Sequence, residues 1–365
     1  MPKYTRWLVY SRQCVSLYTR ADALACILEA MKILVTGAGG YIGSVSSSLL
    51  LEAGFDLVCV ENFVRGYRAP LELLQQRYGA ERVVIVEADL ANSDLSSLFK
   101  HDIAAVMHFA ALLNVGESMH QPVTYFSNNI VGTQRLLEAM HKAKVRQLVF
   151  SSSCTVYGNA QYLPIDEAHP VVQPESVYGA SKKICEDMLA WYSKLGILEY
   201  VALRYFNVCG ATDDASIGDS KRPSFHLMQN AVLGAMGLRE FTFNYATVDT
   251  PDGSPIRDYV NVVDLGEAHV AALQFLQREK RTEIFNLGTG TGNSVLEIVN
   301  MVKKITGKDF AVSSDPNRRT GEANSMVADY QKAKKMLGWT PKRNLEQSVK
   351  SLMTWYTTHP KGWER

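Results

Sequence analysis

Three things are missing from this sequence, and each absence excludes a class of protein. No uninterrupted apolar stretch approaches the roughly 18 residues that cross a bilayer, so no membrane partner is expected. Neither sign of charge is in excess: 38 Lys and Arg face 37 Asp and Glu, a net charge of +1. That balance gives no electrostatic footprint for nucleic acid or an anionic surface. The six cysteines (14, 26, 59, 154, 185 and 209) never adopt C-x-x-C or another metal-ligand spacing. No metal site is expected, and the thiols read as reduced and mostly buried in a cytoplasmic chain. What is present is ordinary globular composition, 47% hydrophobic and 21% charged over 365 residues. At roughly 150 residues per domain this length predicts about two domains.

Organisation begins at Met31. Residues 1–30 carry Lys3, Arg6, Arg12 and Arg20 against only Asp22 and Glu29. They read as an extension outside the fold, and an Arg-rich transit peptide fits the same composition. From Met31 onward, apolar runs at Lys32–Thr36, Leu57–Glu61, Val83–Glu87, Ala105–His108, Gln147–Ser151 and Tyr200–Arg204 alternate with helical patterns. Gly43–Ala53, Tyr125–Lys142 and Tyr178–Leu195 are the clearest of those helices. Continuous apolar strands separated by helices predict an α/β fold, a doubly wound parallel sheet of the Rossmann type. After about Asn207 the chain turns to long Gly-, Asp- and Pro-containing loops and short helices. We therefore expect a dinucleotide-binding domain over 31–207 and a smaller α/β substrate domain over 208–365.

The first strand runs into Gly37-Ala-Gly-Gly40-Tyr-Ile-Gly43 and then a helix. Glycines at those spacings allow a tight turn and close backbone approach to a pyrophosphate, with helix N–H groups as the anion site. Glu61 ends the second strand, where a carboxylate accepts from ribose hydroxyls and repels a 2′-phosphate, favouring NAD over NADP. Asp89, after the third strand, is placed for the adenine edge or for a helix cap. Ser151-Ser-Ser153 ends a later strand, and Tyr178-Gly-Ala-Ser-Lys182 opens a helix. Positions i and i+4 share a helix face. The lysine is thus expected to lower the tyrosine pKa toward neutrality, with a serine hydroxyl on the reacting oxygen.

The runs TGAGGYIGS, HFAALLNVGES, SSSCTVYG, YGASK, LRYFNVCGA, DGSPIRDYVNVVDL, NLGTGTGNSVLEIV and RRTGEANS resemble the extended short-chain dehydrogenase/reductase family. Within it they resemble the 4-epimerases of UDP-sugars, over residues 31–358. The resemblance implies an NAD-dependent isomerase that inverts C4 of a UDP-hexose, UDP-galactose to UDP-glucose, through a 4-keto sugar. It implies Tyr178 as the base, Lys182 as its electrostatic partner and Ser153 on the 4′-oxygen. Further cofactor contacts are implied at Tyr41, Ile42, Asn62, Leu90, Phe109, Ala110, Ala111, Asn128, Ser151 and Tyr205. Substrate contacts are implied at Asn207, Asn230, Arg257, Tyr259, Arg319 and Glu322, although Tyr259 and Phe206 also read as core or wall aromatics. Two departures stand out. Leu113 occupies a position where many such epimerases carry lysine beside the nicotinamide, and Met326 stands where the family sets the size of the sugar pocket. UDP-N-acetylhexosamines and UDP-pentoses therefore remain open as substrates. A 4,6-dehydratase is the nearest rival, but it needs an acid–base pair where this chain has Cys154 and Thr155. A silent dinucleotide-binding regulator would lack Tyr178 or Lys182. Apolar residues on more than one face of the helices Tyr125–Lys142 and Tyr178–Leu195 agree with the family's usual homodimer.

Overall fold

The computed structural model describes residues 31–220, 224–244, 248–311, 313–315 and 323–363. The readings made on residues 1–30, Arg319 and Glu322 lie outside the described residues. The six apolar runs form β1 (Lys32–Thr36), β2 (Asp56–Glu61), β3 (Val83–Glu87), β4 (Ile103–His108), β5 (Gln147–Ser153) and β6 (Glu199–Tyr205). Successive side chains enter opposite cores. Ile33 and Val35 pack with Val45, Leu50 and Leu273, whereas Leu34 packs with Val106, Leu136 and Leu189. Burial on both faces explains why β1, β2, β4, β5 and β6 read as continuous apolar runs, whereas β3, at the sheet edge, is only partly buried.

Four more strands follow: β7 (Asn207–Cys209), β8 (Thr242–Asn244), β9 (Ile256–Asn261) and β10 (Glu283–Leu287). The main sheet has the order β10-β6-β5-β4-β1-β2-β3. All its pairings are parallel. The order reverses between β1 and β4, and the crevice beyond their C-terminal ends is where open α/β sheets bind ligands.

The division expected at residue 207 is crossed by the chain. β10 pairs with β6, and the helix Val262–Glu279 packs on the helix Tyr41–Glu52. Part of the second half thus completes the first layer, covering an edge that β6 would otherwise leave unpaired. The rest builds a small sheet in which β9 pairs with β7, with β11 (Gly292–Ser294) and, beyond β12 (Ser313–Asp315), with β13 (Ser325–Met326). Its own core contains Cys209, Met228, Val232, Ile298, Leu352 and Trp355.

The helix expected over Tyr125–Lys142 is three pieces: Pro122–Phe126, a π-type turn at Ser127–Val131, and Gly132–Ala143. Such a turn inserts one residue into the helical register and recurs at functional sites. Here it brings Asn128 to the cleft and buries Asn129. The Asn129 amide donates to the Leu112 carbonyl at 3.0 Å and to Ser181 Oγ at 2.9 Å, tying the loop after β4 to the helix Val177–Lys194.

Candidate active site

A cleft of about 1040 Å³ lies over the crevice between β1 and β4, roofed by the smaller sheet. Its floor is the glycine turn. Gly37 has φ +71°, and a Cβ there would lie 2.6 Å from the Ala110 backbone nitrogen. A Cβ on Gly43 would lie 2.2 Å from the Gly37 carbonyl oxygen. Gly37, Gly40, Tyr41, Ile42 and Gly43 all line the cleft, and no side chain caps the helix that starts at Tyr41. Its first-turn N–H groups are left for an anion.

Glu61 is buried at the cleft wall, accepting from the N–H groups of Gly39 and Asn62, both at 3.1 Å. Asn62 donates to Asp89 at 3.2 Å, and Asp89 also accepts from the Ala91 N–H at 2.8 Å. Asp89 therefore lines the cleft and serves as a local cap as well. The two arginines nearest this end are committed to carboxylates, Arg65 to Glu117 at 2.6 Å and Arg68 to Glu87 at 2.7 Å. A glycine cradle that a Cβ would fill, followed by an acid rather than an uncommitted cation, fits NAD and not its 2′-phosphorylated form. Leu90, Phe109, Ala110, Ala111, Asn128, Ser151 and Tyr205 line the same cleft.

The reacting groups stand on its far wall. Ser176 caps the helix Val177–Lys194 by accepting from the Gly179 N–H at 3.1 Å, which sets Tyr178 and Lys182 one turn apart on one face. Tyr178 stands beside Ser153, near enough for that hydroxyl to favour its ionised form, and Ser153 Oγ accepts from the Thr155 N–H at 3.2 Å. Lys182 Nζ donates to the Ser151 carbonyl at 2.7 Å and lies 4.8 Å from the Phe150 ring centre. Tyr178, Lys182 and Ser153 are all buried.

The expected fall of the tyrosine pKa is not what the structure gives. Burial, with the neighbouring Tyr205 phenol, raises Tyr178 above the ordinary tyrosine range, and the Ser153 hydroxyl opposes only part of this. Burial also brings the Lys182 ammonium down to about 8.

On the substrate side, Asn207, Asn230, Arg257 and Met326 line the cleft. Arg257 is nearly buried and donates to the carbonyls of Ala323 at 2.7 Å and Ile256 at 2.9 Å. The Asn230 amide donates to the Ser224 carbonyl at 2.9 Å and accepts from Arg239 at 3.2 Å. Tyr259 is a correction. It does not line the cleft but packs in the core of the smaller sheet with Cys209 and Met228. Tyr259 shares a strand face with Arg257, yet lies two residues deeper along β9. Phe206 is a wall aromatic, 4% exposed and lining the cleft. His226 and Arg239 line the cleft without having been anticipated. Both sit beside loops whose course no periodicity reveals; the only local signal for His226 was its place just before the helix Leu227–Ala235.

The family described as NAD dependent epimerase/dehydratase matches residues 33–288. The chain belongs to this family. Its members are NAD-dependent, as the cradle and Glu61 require of this epimerase/dehydratase chain. It is 40% identical over 338 residues to the UDP-glucose 4-epimerase of Lactobacillus helveticus, covering 92% of this chain and 99% of that protein. The crystal structure of the UDP-glucose 4-epimerase of Bifidobacterium longum with NAD+ and UDP superposes with a TM-score of 0.86 at 35% identity. That match covers 91% of this chain and 100% of the other. A Stenotrophomonas maltophila UDP-glucose 4-epimerase with bound NAD and formylated UDP-arabinopyranose gives a TM-score of 0.85 at 37% identity, covering 91% and 99%.

Proposed function

We propose that this family member interconverts UDP-galactose and UDP-glucose by inverting C4 of the sugar. The observation that carries the reading is the placement of Ser153, Tyr178 and Lys182 on one wall of a cleft whose floor is a dinucleotide cradle. Tyr178, as the phenolate, takes the proton of the sugar 4′-hydroxyl at Oη and returns it to the same oxygen after inversion. Ser153 Oγ hydrogen-bonds that oxygen and orients it toward Tyr178. Lys182 Nζ offsets the negative charge that the phenolate oxygen carries until it takes that proton. NAD, held by Gly37, Gly40, Gly43, Glu61 and Lys182, supplies a hydride acceptor that is restored within each cycle. Arg257, Asn207 and Arg319 hold the diphosphate while the 4-keto sugar turns its other face, and Glu322 meets the uridine ribose in the same reading.

The dehydratase alternative is disfavoured by the residues after the serine strand. Cys154 lines the cleft, but burial pushes its thiol up to about 12, and Thr155 donates its hydroxyl to Ser153 at 3.0 Å. Neither can protonate a departing 6-hydroxyl near neutral pH. Product analysis tests the assignment. UDP-glucose from UDP-galactose, with no change in mass, is expected; a product lighter by one water would overturn it. Met326 adapts in shape, so UDP-N-acetylgalactosamine and a UDP-pentose belong in the same panel.

The reading includes a homodimer and a reducing cytoplasmic setting. Ile184, Trp191 and Leu195 are 39%, 60% and 68% exposed on one face of the helix Val177–Lys194. Val123, Phe126 and Val131, on the segment packed beside it, are 76%, 37% and 40% exposed. An apolar face of that extent on two neighbouring helices supports helix-to-helix pairing of two copies. Trp191→Glu is expected to halve the mass measured by light scattering, and an unchanged mass would contradict the pairing. Cys59, Cys154, Cys185 and Cys209 are free, buried thiols, as a reducing compartment allows. Among the described residues, no helix is long and apolar enough to cross a membrane.

A further inference from the structure

Tyr178, Lys182 and Glu186 recur every four residues along one face of the helix Val177–Lys194, and all three are buried. Each meets one of the three consecutive serines that end β5. Tyr178 stands beside Ser153, and Lys182 donates to the Ser151 carbonyl at 2.7 Å. Ser152 Oγ donates to Glu186 Oε1 at 2.6 Å. The first two pairs belong to the proposed chemistry. The third lies behind the cleft wall and does not line it.

Glu186 is held from its other side by a two-point ion pair. Arg204 of β6 donates from Nε to Oε1 at 2.9 Å and from Nη2 to Oε2 at 2.5 Å, with both side chains 5% exposed. Arg204 also lies 4.8 Å from the Tyr157 ring centre and precedes Tyr205, whose hydroxyl bonds Ser151. A buried ion pair is a poor way to join two strands and a helix, because apolar residues of similar volume would usually serve as well. Its carboxylate does something an apolar residue cannot. Lys182 is 3% exposed, and no carboxylate among the described residues touches it. Two groups favour its charge, the Cys185 sulfur beside it and the Glu186 carboxylate one turn along the helix; burial pushes the Cys185 thiol up, which leaves Glu186 as the anion.

We infer that Glu186 is a positioning residue that keeps Lys182 an ammonium in a dry pocket, while Arg204 keeps Glu186 ionised and aimed. The inference rests on the proposed roles of Tyr178 and Lys182. The titratable groups around Lys182 are Tyr178, Cys185 and Glu186 on its own helix, His108 on β4, and Tyr205 and Arg204 on β6; β5 presents only the Ser151 carbonyl and the Phe150 ring. Tyr157 and Tyr200 also face the Glu186–Arg204 pair. Burial holds His108 neutral, down to about 3, and it hydrogen-bonds Thr36 and Thr133. It therefore supplies no competing charge. Burial lowers Lys182, and Cys185 and Glu186 oppose that fall. Removing the carboxylate charge must move the lysine further down, so activity fails at a lower pH on the alkaline side.

The test is kcat and KM against pH for Glu186→Gln, Glu186→Asp and the double variant Glu186→Gln/Arg204→Met, each as purified holoenzyme. In Glu186→Gln the alkaline limb of kcat is expected to move down by about one pH unit. KM for UDP-galactose should stay within about twofold, because Glu186 does not line the cleft. Glu186→Asp, which keeps the charge, should leave the limb in place. The double variant leaves no lone buried charge, should shift the limb the same way, and decides the matter if Glu186→Gln does not fold. An unmoved limb in the charge-free variants overturns the inference, as does failure of both to fold, which would make the pair a scaffold. If Tyr178→Phe were fully active, the underlying reading would fall; an inactive Tyr178→Phe with an unmoved limb removes this inference alone.

Discussion

Tyr178→Phe is expected to lower kcat for UDP-galactose by about 10³-fold while KM changes by less than about twofold. Phenylalanine keeps the ring in its buried place on the helix face, so only the hydroxyl beside Ser153 is lost. The proton of the substrate hydroxyl then has no acceptor at that position. Bound NAD, measured after denaturing the protein, should be unchanged. A kcat within tenfold of the parent would show that another group carries the proton.

Gly37→Val is expected to have the second largest effect, on the cofactor rather than the chemistry. Gly37 has φ +71°, a region that costs a β-branched residue about 2 kcal/mol or more. The first added carbon would also lie 2.6 Å from a backbone nitrogen, which cannot turn aside as a side chain would. The turn must open, moving Gly40 and the first N–H groups of the helix away from the site for the diphosphate. Co-purified NAD should fall at least about tenfold, and activity should return in part with millimolar NAD in the assay. Full NAD content in a folded Gly37→Val protein would mean that the cradle lies elsewhere.

What could be read in advance depended on how local each feature is. β1, β2, β4, β5 and β6 are visible because both faces are buried, which leaves no polar alternation to confuse them with amphipathic helices, and β3 by its unbroken Val and Ile run. β10 is not, because Glu283–Leu287 is short, mixed in polarity and recruited by the open edge of β6, a partner about eighty residues away. The cradle and the Tyr178–Lys182 pair were legible since each is one strand end or one helix turn. The ion pair of Glu186 with Arg204 was not, because its members come from a helix and a strand that only tertiary packing brings together. Tyr259 reads both as a substrate contact and as a core aromatic for a related reason: alternation along β9 tells which face a residue takes, not how far along that face the cleft extends, and the core reading is the one the structure bears out. The i+4 rule supplies Tyr178 with a cationic neighbour and says nothing of burial, which pushes the phenol up.

The most direct measurement of the central claim is turnover of UDP-galactose by the purified protein with no NAD added. The account predicts UDP-glucose accumulating to an equilibrium mixture, with NAD recovered from the denatured protein. No turnover of UDP-galactose, UDP-N-acetylgalactosamine or a UDP-pentose, with or without NAD, would contradict it.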